Sequence, residues 1–124
     1  MCGIFSLLNF AGSNNSFPDE CFISNAELAF YRGKSRGPET SIFNTDFITN
    51  FNVLFGFHRL AINGIDNLSN QPIIINNILL ICNGEIYNYK QLYQELALHP
   101  DSIFSNSDCE VIIHMYLKYG IEYT

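Results

Sequence analysis

Ile73-Ile74-Ile75-Asn76-Asn77-Ile78-Leu79-Leu80-Ile81-Cys82 is a pair of apolar runs with two asparagines between them. Isoleucine is stiff at χ1 and packs well on a pleated surface, so each run is expected to be a strand. A two-residue link between twisted antiparallel strands favours positive φ, which asparagine tolerates better than most side chains. The stretch predicts a β-hairpin, and antiparallel pairing here decides the fold class.

Further along, Asn83-Gly84 is expected to turn the chain out of the second strand. Tyr89, Leu92, Tyr93 and Leu96 recur at helical spacing and predict a helix that stops before Pro100. Ser107-Asp108-Cys109-Glu110 has the form of a capping box. It opens a helix with Val111, Ile112, Met115 and Tyr116 on one face and Gly120 at its end. On the N-terminal side, residues 41–48 and 52–62 are rich in Phe, Ile, Val and Leu and read as strands. Before them, Ser16 is expected to cap a helix with Pro18, Asp19 and Glu20 in its first turn. Phe22, Ile23, Ala26, Ala29 and Phe30 form its apolar stripe, and Gly33 is its stop. Residues 4–10 read as a short opening strand closed by the turn-forming residues 12–16. Antiparallel strands flanked by helices make the fold α+β.

At 124 residues the chain is expected to be one domain, continuous over 1–124, with no linker or repeat to divide it. Apolar types supply 48% and charged types 15%, which is a composition that folds. A net charge of −6 argues against a surface that tracks nucleic-acid phosphate or lies on an anionic membrane. No apolar run approaches the roughly 18 residues of a membrane span. No Lys or Arg precedes the apolar opening, so a secretory signal is not expected. Cys2, Cys21, Cys82 and Cys109 stand at wide, irregular spacings with no Cys-x-x-Cys pair. They are expected to be free thiols in a reducing cytoplasm and to bind no metal.

The chemistry concentrates in a few places. Cys2 is followed by a glycine, and a small second residue permits removal of Met1. The thiol would then share its residue with an α-amine, whose reference pKa of about 7.7–8.0 suits it to act as a base. The structural reading of Cys2 is a small buried apolar residue at a strand start. Arg59 falls among strand residues, where a buried guanidinium needs a carboxylate from the protein or from a ligand. Asn83 and Gly84 put a side-chain amide next to an unhindered backbone N–H, as an oxyanion hole requires, although Asn-Gly also makes an ordinary turn. Asp108 opens a helix, where complementing the dipole would alone explain it.

Six motifs occur in order: Met1-Cys2-Gly3-Ile4-Phe5, Arg36-Gly37-Pro38-Glu39, Gly56-Phe57-His58-Arg59-Leu60-Ala61-Ile62, Asn70-Gln71-Pro72, Cys82-Asn83-Gly84-Glu85-Ile86-Tyr87-Asn88 and Ser107-Asp108-Cys109-Glu110-Val111-Ile112. Together they resemble the N-terminal glutaminase domain of glutamine-hydrolysing asparagine synthetase, a class II glutamine amidotransferase. The resemblance covers nearly the whole chain. It implies an N-terminal nucleophile hydrolase fold, a sandwich of antiparallel sheets flanked by helices. It also implies that glutamine is cleaved to glutamate and ammonia through a thioester on Cys2, with the residue's own α-amine as base. Asn83 and Gly84 would form the oxyanion hole. Arg59 would clamp the substrate α-carboxylate, Glu85 and Asp108 would take its ammonium, and Leu60 and Ile62 would line the pocket.

No cofactor is expected for that half-reaction, since ATP and Mg²⁺ would belong to a synthetase domain. The partners implied are glutamine and either a separate synthetase subunit or another copy of this chain, with ammonia supplied to asparagine biosynthesis. Glu39 departs from the family, which usually has Asp there. The family's domain also continues past the Tyr119-Gly120-Ile121-Glu122 region, so the domain is expected to be truncated at its C-terminal side and to leave sheet edges or apolar faces uncovered. From that follows an alternative, a catalytically silent fragment that keeps the glutamine pocket or associates with a longer relative. A thiol-rich metal-binding domain is a third reading, resting on four cysteines and three histidines alone.

Overall fold

The computed structural model describes residues 2–8, 19–45 and 53–124. The chain forms two compact units, Met1–Leu60 and Ala61–Thr124.

The first unit is an antiparallel sheet of β1 (Gly3–Leu8), β2 (Thr40–Asn44) and β3 (Val53–Arg59), with β3 central, and one helix, α1 (Glu20–Tyr31). Every residue of β3 from Leu54 to Arg59 is buried, so this strand is covered on both faces. Helix α1 docks on the sheet through a notch. Gly56 lies opposite Phe5 on β1 and Phe43 on β2, and a Cβ on Gly56 would stand 2.5 Å from the Phe30 ring. The missing side chain lets Phe30 sit between its neighbours, with ring centroids 6.0 Å from Phe5 and 5.3 Å from Phe43.

Two residues along the same face, His58 stacks on Phe30 at 3.9 Å with the ring planes 7° apart. Its Nε2 is 2.9 Å from the Phe30 carbonyl and its Nδ1 is 2.8 Å from Ser41 Oγ. A carbonyl only accepts, so Nε2 donates to it, while Nδ1 shares a hydrogen bond with the Ser41 hydroxyl. His58 therefore ties the end of α1 to β2.

The second unit carries the expected hairpin. β4 (Ile73–Ile75) pairs antiparallel with β5 (Ile78–Leu80), and Asn76 and Asn77 take φ of 49° and 63°. Two helices follow, α2 (Tyr89–Leu96) and α3 (Val111–Tyr119). Ile73, Ile75, Cys109 and Ile113 form the core, with Ile78, Leu80, Cys82 and Ile112 packed against them. Buried Gln71 accepts the Cys82 N–H through Oε1 at 2.6 Å and secures the chain as it leaves β5.

Several sequence expectations need correction. Asp19 is the N-cap of α1, accepting the Phe22 N–H at 2.7 Å, so Asp19 lies before the helix and not in its first turn. The expected Ser16 cap, Pro18 and the turn at 12–16 lie outside the described residues, as do Phe10, Ile48 and Asn52 at the ends of expected strands. β3 ends at Arg59, so Ala61 and Ile62 are not strand residues, and Ile62 is exposed.

The Ser107–Glu110 capping box is half made. Ser107 Oγ accepts the Cys109 N–H at 3.3 Å, while Glu110 turns away to other donors. Its fully buried carboxylate accepts the backbone N–H groups of Phe104 and Ser105 at 2.8 and 2.7 Å and the Ser105 hydroxyl at 2.6 Å. It also pairs with His114 Nε2 at 3.1 Å. This pair rotates the buried face of α3 to Val111, Ile113 and His114, and leaves Tyr116 exposed.

Filling the notch with Gly56→Ala is expected to destabilise the chain by about 1–3 kcal/mol in urea unfolding, through overpacking against Phe30. The cost should shrink in a Phe30→Leu background; additive costs would contradict the notch. Glu110→Ala is expected to cost about 3–5 kcal/mol, because it leaves a buried histidine and three loop donors without their acceptor.

Candidate active site

In the first unit the expected site residues gather at the end of β3. The antiparallel register sets Gly3 opposite His58, so the residue before β1 reaches the residues after His58. The half-buried Cys2 Sγ accepts the Leu60 N–H at 3.3 Å and lies 3.5 Å from the Leu60 carbonyl, to which its S–H can donate. Arg59 is buried beside this contact in sequence, at 8% exposure.

The Arg-Gly-Pro-Glu loop closes on the same strand end. Arg36 Nε donates to the Cys2 carbonyl at 3.3 Å, and the Glu39 N–H donates to the Arg59 carbonyl at 3.2 Å. Between them Gly37 presses so close that a Cβ there would stand 2.4 Å from the His58 carbonyl carbon. Gly37 is thus required for the loop to reach Cys2. Sequence reasoning left Arg36 without a role. Its signal was the glycine that follows it, since glycine marks a close approach of two backbones.

In the second unit the remaining candidates gather around the turn after β5. Buried Asp108 accepts the Ile86 N–H through Oδ2 at 2.5 Å, and Cys109 Sγ donates to the Gly84 carbonyl at 3.7 Å. The start of the Asp108–Glu110 turn therefore holds the Asn83–Ile86 segment at both ends. Asn83, Gly84 and Glu85 are exposed. Glu85 Oε1 accepts from the Asn63 amide at 2.9 Å. Among the described residues of this unit, the Asn83 side-chain amide and the Gly84 N–H have no hydrogen-bond partner, so both donors are available to an anion. Ile62 is exposed.

The four cysteines are free thiols. Beside the Asn83-Gly84 turn, the Cys109 thiol as hydrogen-bond partner holds the Cys82 thiol down to about 7, against the opposing effects of burial and of Asp108. Cys109 is pushed up, first by Cys82 and then by burial. Among the described residues no group of three or more His, Cys, Asp or Glu side chains is placed to hold a metal ion, and no helix is long and apolar enough to cross a membrane.

Comparison with known proteins agrees with the motifs. Residues 1–124 match the family described as a glutamine amidotransferase domain. The chain is 38% identical to a glutamine-hydrolyzing asparagine synthetase of Gallus gallus and 40% identical to that of Mus musculus, in each case over 100% of this chain and 20% of the relative. It is 34% identical to glutamine-hydrolyzing asparagine synthetase 2 of Bacillus subtilis, over 98% of this chain and 15% of the relative. The chain thus spans about a fifth or less of the length of these relatives. With the motifs, the antiparallel α+β units and the whole-length match in agreement, the chain belongs to the glutamine amidotransferase domain family.

Proposed function

We propose that this chain hydrolyses the side-chain amide of glutamine through a thioester on Cys2 and serves as the ammonia-supplying part of an asparagine synthetase-like system. The observation that carries the reading is the thiol of Cys2 placed against Leu60 N–H and C=O at the end of β3, directly after a buried arginine. A sulfur held between a backbone N–H and a carbonyl is fixed in one orientation at the strand end.

In this mechanism Met1 is removed and the α-amine of Cys2 takes the thiol proton. Sγ attacks the side-chain carbonyl carbon of glutamine. The oxyanion is held by the Asn83 amide and the Gly84 N–H, both unused donors within their own unit. The tetrahedral species collapses with the C–N bond breaking, and ammonia leaves with the proton from the amine. Water then attacks the γ-glutamyl thioester, releasing glutamate and restoring the thiol. Arg59 binds the α-carboxylate with its planar fork, and Glu85 and Asp108 bind the ammonium. Leu60 and Ile62 line the glutamine pocket. The two units would together make one amidotransferase domain over residues 1–124, as an N-terminal nucleophile hydrolase sandwich. The half-reaction needs no cofactor. ATP and Mg²⁺ chemistry belongs to a synthetase domain in a partner or a neighbouring part of the protein, which takes up the ammonia.

Steady-state release of glutamate and ammonia from glutamine tests this directly. Cys2→Ala is expected to abolish turnover. Asn83→Ala should lower kcat by about 10²–10³, the usual effect of removing one oxyanion donor. Arg59→Lys should raise KM with kcat little changed, as expected when ground state and transition state lose the same contact. Equal turnover in the Cys2→Ala protein would overturn the mechanism. Saturable glutamine binding without turnover would replace the enzyme by a glutamine-binding module.

A further inference from the structure

The catalytic scheme leaves two thiols unused, and they meet at one glycine. Cys109 is buried in the core of the second unit at 3% exposure, and Cys82 packs against that core while staying partly exposed. Cys109 Sγ donates to the Gly84 carbonyl at 3.7 Å, and Cys82 Sγ lies 3.6 Å from where a Cβ on Gly84 would stand. Both sulfurs thus lie against the same residue, one at its carbonyl and one beside its Cα.

Cys109 has a single S–H. It can point at the Gly84 carbonyl or at the sulfur of Cys82, and in the second case it stabilises Cys82 as a thiolate. That is why Cys82 is held down to about 7 while Cys109 stays protonated. A partly exposed thiolate next to a buried thiol is the arrangement in which one sulfur is oxidised and the other resolves it.

We propose that Cys82 and Cys109 form an oxidative modification site, at which a hydroperoxide oxidises Cys82 and Cys109 closes an intramolecular disulfide. In the first step the Cys82 thiolate attacks a peroxide oxygen. An S–O bond forms, the O–O bond breaks, and hydroxide leaves to become water; Cys82 is oxidised by two electrons to the sulfenic acid and the peroxide is reduced. In the second step the Cys109 sulfur attacks the sulfenic sulfur. The S–S bond forms, the S–O bond breaks, and hydroxide leaves as water with the Cys109 proton. Two thiols and one hydrogen peroxide thus give one disulfide and two waters.

The disulfide removes the S–H that holds the Gly84 carbonyl, and so loosens the turn bearing Asn83 and Gly84. Its effect on turnover rests on the proposed glutaminase reading; the modification itself does not.

The test is peptide mapping of the reduced whole chain after stepwise hydrogen peroxide, with the remaining thiols blocked. Lys90 lies between the two cysteines, so trypsin separates them unless they are linked. The expected result is a linked pair of peptides holding Cys82 and Cys109, with a rate that rises as pH passes about 7. Cys109→Ser should accumulate a sulfenic acid at Cys82, trapped by dimedone, and Cys82→Ser should leave Cys109 reduced at the same dose. Oxidation of Cys2 or Cys21 with Cys82 and Cys109 both left reduced would overturn the proposal. So would an oxidised Cys82 in the unsubstituted chain with no link to Cys109. The mapping of the unsubstituted chain needs no variant to fold and no glutamine turnover, so it stands apart from any failure of the glutaminase reading.

Discussion

The Phe30 ring seated over Gly56 is the contact on which the N-terminal half of the site depends. Without a side chain at Gly56, α1 lies close enough for His58 to stack on Phe30 and take hold of its carbonyl. His58 also bonds Ser41, and its register partner on β1 is Gly3, so one histidine spans all three strands. That register delivers Cys2 to Leu60. The close approach of α1 thus rests on the absent side chain of Gly56, and the position of the sulfur on the β1–β3 register beneath it. Interiors at crystal-like density transmit such a change and cannot absorb it.

The second unit is organised by carboxylates in place of rings. Glu110 is fully buried, and its acceptor capacity is spent on the Phe104–Ser105 backbone, the Ser105 hydroxyl and His114. A buried carboxylate is tolerable only when satisfied to this degree. With the loop before it fixed, Asp108 is held where it accepts the Ile86 N–H, and Cys109 where it meets Gly84. The exposed donors of Asn83 and Gly84 are thus presented on a turn tied at both ends. A preorganised pair of donors is what stabilising a transient oxyanion requires, because no rearrangement is needed as charge develops.

How far the sequence could be read follows from the range of the interactions. The Asn76-Asn77 hairpin was legible because positive φ is a property of two adjacent residues, and α2 because its period is local. The motif residues were legible as an ordered set, and the structure brings Cys2 to Leu60 in one unit and Asp108 to the Asn83–Ile86 turn in the other. Misreadings arose where a distant group won over a local one. Ser107 and Glu110 have capping-box spacing, but loop donors at Phe104 and Ser105 bid more strongly for the carboxylate than the Ser107 N–H. β3 stops at Arg59 because the N–H and C=O of Leu60 face the sulfur of Cys2, remote in sequence. On α3 the buried side includes His114, which lies one helical turn from Glu110 and pairs with its carboxylate, a partnership that apolar spacing alone does not reveal.

The central claim is that the Cys2 sulfur is an activated nucleophile in a glutamine-shaped pocket. The most direct measurement is the intact mass of the purified chain before and after exposure to a glutamine-mimicking diazoketone, with the adduct located by peptide mapping. The account predicts a chain lacking Met1 that gains a single adduct on Cys2, with free glutamine slowing its formation. A retained Met1, or a free Cys2 that stays unlabelled at concentrations saturating other glutamine amidotransferases, would contradict it.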